Sequence, residues 1–587
     1  MKQPCDFEVI KDDSLKVDIS TNEIDGILYV KLDINCDDEI AFSPVDIIWY
    51  HDIIDIQSFW HPGSGRNMSL PVDWMGNISF KGTVNAPVVV FYSGDKRNRL
   101  SVSYSDALNS VLFNMGVKEE TGEIRCKITL FTEPSKKQKH YEGTIRIDCR
   151  NVPYYEAIND ASKWYETLGS YKPSHVPEYA EMPMYSTWYS FHQNLKDYEI
   201  EEQCKAAKEL GYKTIIVDDG WQTDDNNRGY AFCGDWEICS NKFKDMQGHV
   251  KKVHEIGMKY MIWYSVPFVG FKSKAWERFS DKVLYNIDYL GAGVLDPRYP
   301  EVREYLINIY ESAVLNWNID GLKLDFVDQF DLRGACTKAL EIDNRRDTES
   351  VQEAVDLLLS SVMERLKKLK PDIMIEFRQR YIGPCMRKYG NMFRASDCPN
   401  DPVTNRIETI DLRLLSGDTA VHSDMLMWSN NDTAESVASQ FINILFSVPQ
   451  FSMRLDKLSK EHMEVTKFWT SFWIDNRDVL LQGKLMPASP EAMYPVVVAE
   501  NDDKRIIALY DDMYIKTGVN IPKKLIIVNG AMTEEIYLVI EEDIRGKMSQ
   551  YDCRGNLILC EQVDYKTGLI KLNIKKSGVI IIELEDN

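Results

Sequence analysis

The chain has 587 residues, of which 44% are hydrophobic and 27% charged, a globular balance that excludes a disordered or fibrous protein. It is too long for one ordinary core, so about two to four domains are expected. The net charge of −22 is spread along the sequence with no basic block, which argues against a nucleic-acid partner or an anionic membrane surface. The 12 cysteines are scattered and none stands in a CxxC pair, and the nine histidines form no HxH or HExxH cluster, so no metal or cofactor site is signalled. The start, Met1 to Glu8, lacks the apolar stretch of a secretory leader, and no later run reaches membrane-spanning length. As it stands the chain reads as cytoplasmic, although a leader removed earlier would leave the same start.

Up to about residue 170, short or alternating apolar runs are punctuated by turn residues. Ile27–Leu32, Val88–Tyr92, Cys126–Phe131 and Gly143–Ile147 predict strands of an N-terminal β-sandwich over 1–172. Trp60 and Trp74 stand beside turn formers there, where an indole either packs into a core or stacks on a sugar face. Lys172–Pro177 reads as a linker. After it strands alternate with helices: a strand at Met184–Tyr189, a helix from Asp197 to Leu210 stopped by Gly211, and a strand Thr214–Asp218. A helix over Met246–Ile256, a strand Lys259–Tyr264 and a helix Pro300–Trp317 lead into the strand Asp320–Asp325. Further elements are a helix Ser350–Leu369, strands Ile373–Phe377 and Met392–Ala395, and last barrel elements near Ala420–Ser423 and Phe441–Val448. This repetition predicts an α/β chain whose central domain, 178–475, is a (β/α)₈ TIM barrel. A helix Lys460–Asp475 closes it. Strand patterns at Val496–Ala499, Arg505–Tyr510, Glu535–Ile540 and Gly578–Glu583 predict a small antiparallel C-terminal β domain over 476–587.

Charges and aromatics gather where the barrel strands end. The second strand ends in Asp218-Asp219-Gly220-Trp221, the third in Trp263-Tyr264 and the fourth in Lys323-Leu324-Asp325. The fifth ends in Glu376-Phe377-Arg378, and the sixth runs into Arg394-Ala395-Ser396-Asp397. Any one Asp here could be a helix N-cap, but a buried acid is costly unless paired or at work, and five successive strands ending in charges or aromatics, four of them in charges, are hard to explain by packing. Residues two apart on a strand face the same way, so Lys323 and Asp325 project together, and the C-terminal ends of barrel strands form the catalytic face. Paired acids from separate strands, with indoles among them, suit glycoside hydrolysis.

Several stretches resemble glycoside hydrolase family 36, in the clan of retaining α-galactosidases and α-N-acetylgalactosaminidases. They are DDGWQ at 218–222, GDWEICSNKF at 234–243, GMKYMIWY at 257–264, LDPRYPEVREYL at 295–306, DGLKLDF at 320–326 and RASDCPNDPVTNR at 394–406. The resemblance covers roughly 180–450. It implies that Asp325 is the nucleophile and Asp397 the acid/base, with Lys323 binding sugar, Asp218 and Asp219 holding two hydroxyls, Trp263 lining the pocket and Arg394 beside the acid/base. Trp60, Trp188 and Glu376 complete the expected substrate-binding set. The chain departs from the family where larger members carry a glycine-rich Cys/Ser block; here stands Ile375-Glu376-Phe377-Arg378-Gln379-Arg380. Arg378 and Arg380 could face a substituted sugar, a salt bridge to nearby acids being the simpler role. Cys398-Pro399-Asn400 stretches the acid/base motif and makes Asp401 an understudy.

The expected activity is thus a retaining α-glycoside hydrolase, most simply an α-galactosidase acting on non-reducing terminal α-galactosyl residues. α-N-Acetylgalactosaminidase, a modified-galactoside hydrolase, a raffinose-synthase-like transglycosylase and a non-catalytic carbohydrate-binding barrel are the alternatives. The partner is an oligosaccharide or glycan; no cofactor or metal is called for, and a homo-oligomer is left open. A retaining pair is expected about 5–5.5 Å apart, with Asp397 raised and Asp325 depressed in pKa.

Overall fold

A computed structural model describes residues 6–332, 335, 337–378 and 380–585; the start segment Met1–Cys5 and Gln379 lie outside them. Eight short strands form its centre: β1 (Met184–Ser186), β2 (Thr214–Val217), β3 (Lys259–Ser265), β4 (Gly321–Asp325), β5 (Met374–Arg378), β6 (Met392–Arg394), β7 (Ala420–His422) and β8 (Gln450–Phe451). They lie in one sheet of order β7-β6-β5-β4-β3-β2-β1-β8, and every pairing is parallel. Between β7 and β8 the gap is spanned by Ser423 N donating to Val448 O (3.0 Å) and Leu426 N to Gln450 O (2.8 Å), so the sheet is a nearly closed (β/α)₈ barrel.

Local chemistry sets the intervening helices. The helix Met246–Ile256 starts where the Asp245 side chain accepts from Gly248 N and stops at left-handed Gly257 (φ 89°). Pro300–Trp317 begins on proline and ends on left-handed Asn318. Two expectations shift. The strand expected over Met184–Tyr189 ends at Ser186, because the chain turns at the barrel rim into the helical turn Trp188–Phe191. The apolar run Phe441–Val448 is the end of the helix Ala434–Asn443 plus a turn, and β8 follows it; a short apolar run does not by itself distinguish helix from strand. An unforeseen three-stranded antiparallel sheet (Phe268–Gly270, Val283–Ile287, Ala292–Leu295) branches from the barrel after β3.

The floor of the barrel is a small apolar layer of Met184, Ile216, Met261, Met374, Met392 and Ala420, contributed by six strands and closed below by Ala180. β4 enters this layer on Gly321, where a Cβ would stand 2.6 Å from Met374 O and 2.8 Å from Met261 Cγ. Polar strand ends are thereby left to the opposite mouth.

Ahead of the barrel, a five-stranded and a six-stranded antiparallel sheet share a core that includes Trp49, Phe91, Phe113 and Ile145. The strand Glu123–Leu130 alternates half-buried and buried residues throughout, as a sandwich strand should. A helix not foreseen from the pattern, Tyr154–Thr167, runs from this sandwich against the barrel helix Pro402–Leu415. The sandwich also clasps the barrel mouth: Lys81 Nζ bonds Asp331 (3.0 Å) and Glu133 (2.7 Å), and Asn85 N donates to Arg380 O (2.7 Å). After the helix Lys460–Asp475, a seven-stranded and a three-stranded sheet form the C-terminal part, antiparallel but for the pairs Lys504–Leu509 with Lys524–Asn529 and Ile515–Lys516 with the strand Glu535–Ile540. Among the described residues no helix is long and apolar enough to cross a membrane.

Candidate active site

A cavity of about 310 Å³ opens at the C-terminal ends of the barrel strands, lined by Trp188, Asp218, Asp219, Tyr230, Trp263, Lys323, Asp325, Phe326, Asp328, Gln329, Arg378, Arg394 and Asp397. Its centre is Asp325, the last residue of β4 and only 3% exposed. Oδ1 accepts from Phe326 N (2.7 Å), Arg378 Nε (2.5 Å) and Tyr381 OH (2.8 Å), while Oδ2 accepts from Trp263 Nε1 (2.9 Å). Phe326 itself sits in the left-handed region (φ 65°), where the chain turns out of β4. Burial pushes the Asp325 carboxyl up, but Arg378, then Lys323 and the Trp263 bond, outweigh it, and the net result is below the usual range.

Lys323, two residues back on the same face, bonds Asp218 Oδ2 at 2.6 Å. Asp219 is held by Gln193 Nε2 (2.6 Å) and Gln222 Nε2 (2.8 Å), and burial lifts it to about 6. Trp263 is stacked on Tyr230, ring centroids 6.0 Å apart, which fixes the indole edge against Asp325. On the far side, Asp397 Oδ1 accepts from Arg394 Nη2 (2.8 Å), and its Oδ2 lies 3.8 Å from Arg378 Nη1. Arg394 turns its other arm to Asp424, a fully buried carboxylate that also accepts from Tyr189 OH (2.8 Å) and Cys398 N (2.7 Å). Burial raises Asp424, against the pull of Arg394.

Such a constellation holds two carboxylates from separate strands across a polar cavity, with indole and phenol rings on one wall. Residues 161–415 match the Melibiase family model. Alpha-galactosidase 1 of Pediococcus pentosaceus is 28% identical over 182 residues, 29% of this chain and 23% of that protein. Alpha-galactosidase AgaA of Geobacillus stearothermophilus is 24% identical over 199 residues, 32% of this chain and 26% of its own, so the matched segments span about a quarter of each relative. The crystal structure of AgaA, a GH36 alpha-galactosidase, superposes over 97% of this chain and 81% of that one with a TM-score of 0.68 at 14% identity. The chain fits glycoside hydrolase family 36.

Within this family 36 frame, the structure brings together Asp325, Asp397, Asp218, Asp219, Trp263, Lys323, Arg394 and Trp188 around one cavity. Three expected residues do not face it. Trp60 is fully buried, its Nε1 donating to Asp411 Oδ1 (3.0 Å) in the joint between sandwich and barrel, so it cannot stack on a sugar. Glu376 lies fully buried in the barrel interior, bonded by Gln450 Nε2 and 3.7 Å from Arg394 Nε; it braces Arg394 from beneath. Asp401 caps the helix Pro402–Leu415 through Thr404 N (3.0 Å) and meets Arg66 of the sandwich. Trp74 is exposed on the sandwich surface. The expected raised pKa of Asp397 is corrected as well: burial pushes it up, but the Arg394 and Arg378 guanidiniums hold it well below the usual carboxylate range. Tyr230, Asp328, Tyr381 and Asp424 escaped the sequence reading. Of these, Asp328 and Tyr381 stand three residues beyond the strand ends Asp325 and Arg378, and Asp424 directly follows the expected element Ala420–Ser423.

Proposed function

We propose that the chain is a retaining α-glycoside hydrolase acting on terminal α-galactosyl residues of oligosaccharides. The observation that carries this reading is the four-donor grip on Asp325, facing Asp397 across the cavity. A carboxylate kept ionised in a buried site is suited to attack, not to proton donation. Three donors fill Oδ1, so Oδ2, with one, is the oxygen left to attack the anomeric carbon. As the C1–O bond to the leaving group breaks, Asp397 gives that oxygen its proton, and a glycosyl ester forms on Asp325. Asp397, then ionised, takes a proton from water, whose oxygen attacks C1 and releases Asp325. Arg394 and Arg378 favour the ionised Asp397 of the second step; protonation for the first calls for the entering sugar to loosen their hold. Lys323, Asp218 and Asp219 offer a donor and acceptors for sugar hydroxyls, and Trp263 and Trp188 offer apolar faces.

The substrate is proposed by likeness. Doubly substituted variants of AgaA have been crystallised in complex with raffinose and with stachyose. The test is hydrolysis of p-nitrophenyl α-galactoside, raffinose and stachyose by wild type, Asp325→Ala and Asp397→Ala. Turnover by wild type and a loss of at least about 10³-fold in kcat for Asp325→Ala are expected. Turnover unaffected by Asp325→Ala would overturn the assignment.

A further inference from the structure

We propose that Glu408 is a positioning residue that fixes the backbone around the acid/base Asp397 and so sets how well the leaving group is protonated. This rests on the function proposed above and deepens it. Strand β6 ends at Arg394, and after Ala395, whose N still donates to His422 O (3.0 Å), the chain leaves the sheet and crosses to the helix Pro402–Leu415. Asp397 lies in that crossing with a side chain 39% exposed, so burial does not hold it. Arg394 reaches its carboxylate (2.8 Å), and two further carboxylates hold the backbone beneath. Glu408 Oε2 accepts from Ser396 N (2.5 Å) and Asp424 Oδ2 from Cys398 N (2.7 Å), one amide on either side of Asp397.

Both arms of this clamp are mounted on one face of the helix Pro402–Leu415. Asn405 and Glu408 stand three apart, which makes them neighbours on a helix surface. Asn405 carries the second arm: its Nδ2 donates to Asp424 O (3.1 Å) and its Oδ1 accepts from Asp424 N (3.0 Å). Glu408 is not needed as a helix cap, because Asp401 caps this helix through Thr404 N (3.0 Å); its carboxylate turns instead to an amide 12 residues earlier in the chain. Burial raises the Glu408 carboxyl, against the pull of the Ser396 hydroxyl and amide, so the contact with Ser396 offsets part of the cost of a charge at that place. Burial, then Arg394, Arg378 and Lys323, govern the proton affinity of Asp397, and Glu408 acts on it through geometry. A general acid displaced by about 1 Å from the leaving oxygen loses up to about 10²-fold in rate, and the loss falls on substrates whose leaving group needs the proton.

The experiment compares kcat/KM, which reports the first displacement, for p-nitrophenyl and phenyl α-galactoside in wild type, Glu408→Gln, Glu408→Asp and Glu408→Ala, each checked for folding by circular dichroism. Phenolate is the poorer leaving group and depends on the proton; p-nitrophenolate leaves with little help. Glu408→Gln keeps the reach and an acceptor without the charge, whereas Glu408→Asp keeps the charge without the reach. In Glu408→Asp and Glu408→Ala the p-nitrophenyl-to-phenyl ratio should widen about tenfold to a hundredfold over wild type, and in Glu408→Gln it should stay within about threefold. A merely structural role would lower both rates and leave the ratio untouched, and a role through charge would move the ratio in Glu408→Gln and spare Glu408→Asp. Either result overturns the proposal. Should Glu408→Ala fail to fold, the contrast between Glu408→Asp and Glu408→Gln decides alone. No turnover of either substrate by folded wild type would instead overturn the galactosidase reading and this inference with it.

Discussion

Asp325 and Asp397 differ in who holds them. The first is gripped by a backbone amide, an indole, a phenol and a guanidinium; the second leans, among the described residues, on two guanidiniums. Removing one donor from Asp325 raises its pKa, because the lost bond favoured the charged form. Tyr381→Phe should therefore lower kcat/KM about tenfold and move the acidic limb of its pH profile to higher pH, read by steady-state kinetics across pH. Asp424 works in the opposite sense on Asp397. Its charge repels Asp397 and occupies one arm of Arg394, and both effects favour a proton on Asp397. Asp424→Asn should lower the Asp397 pKa further and shift the basic limb to lower pH; an unmoved limb would contradict that coupling. The residues legible in the sequence were those at strand ends, where chain position alone fixes the direction of the side chain. Tyr230 reaches the site from a long loop, whose return path depends on tertiary packing that no local pattern encodes, while Tyr381 and Asp424 stand three and two residues beyond the ends of β5 and β7.

At the scale of elements, period and punctuation were enough for several long helices. Met246–Ile256, Pro300–Trp317 and Lys460–Asp475 lie where their caps and apolar spacing put them. The failures are β8, which has two residues and follows an apolar run that is helical only at its start, and the helix Tyr154–Thr167, which lies between two domains. The floor of the barrel makes a separate demand, because β4 must start on a residue with no side chain to let the methionine layer close. Gly321→Ala forces a Cβ against Met374 O and should cost about 1–3 kcal/mol, measured by denaturant unfolding. An unchanged midpoint would show that the layer gives way easily.

Across the whole molecule, three parts of the chain converge on one buried carboxylate. Trp60 from the sandwich and Tyr494 from beyond the last barrel helix both donate to Asp411 on the helix Pro402–Leu415. Burial lifts Asp411 to about 7 from an ordinary value of 3.8. Between those values the folded chain holds a proton that the unfolded chain has released, so this group's contribution to stability falls as pH rises from about 4 to about 7. Asparagine still accepts from Trp60 and Tyr494 without ionising. Asp411→Asn should thus gain in Tm over wild type as pH rises through that window, with its largest advantage near pH 8, and a difference in Tm that ignores pH would contradict the titration. Trp60, which the sequence leaves as either a core or a sugar-stacking indole, packs in this joint, which becomes visible only when residues 351 apart in sequence meet.

The most direct test of the account is the anomer released first from p-nitrophenyl α-galactoside, followed by proton NMR, with azide added to Asp325→Ala. The account predicts α-galactose from wild type and the β-azide from the variant, the products of two displacements and of one. β-Galactose as the first product of wild type would mean direct attack by water, and would contradict Asp325 as a nucleophile.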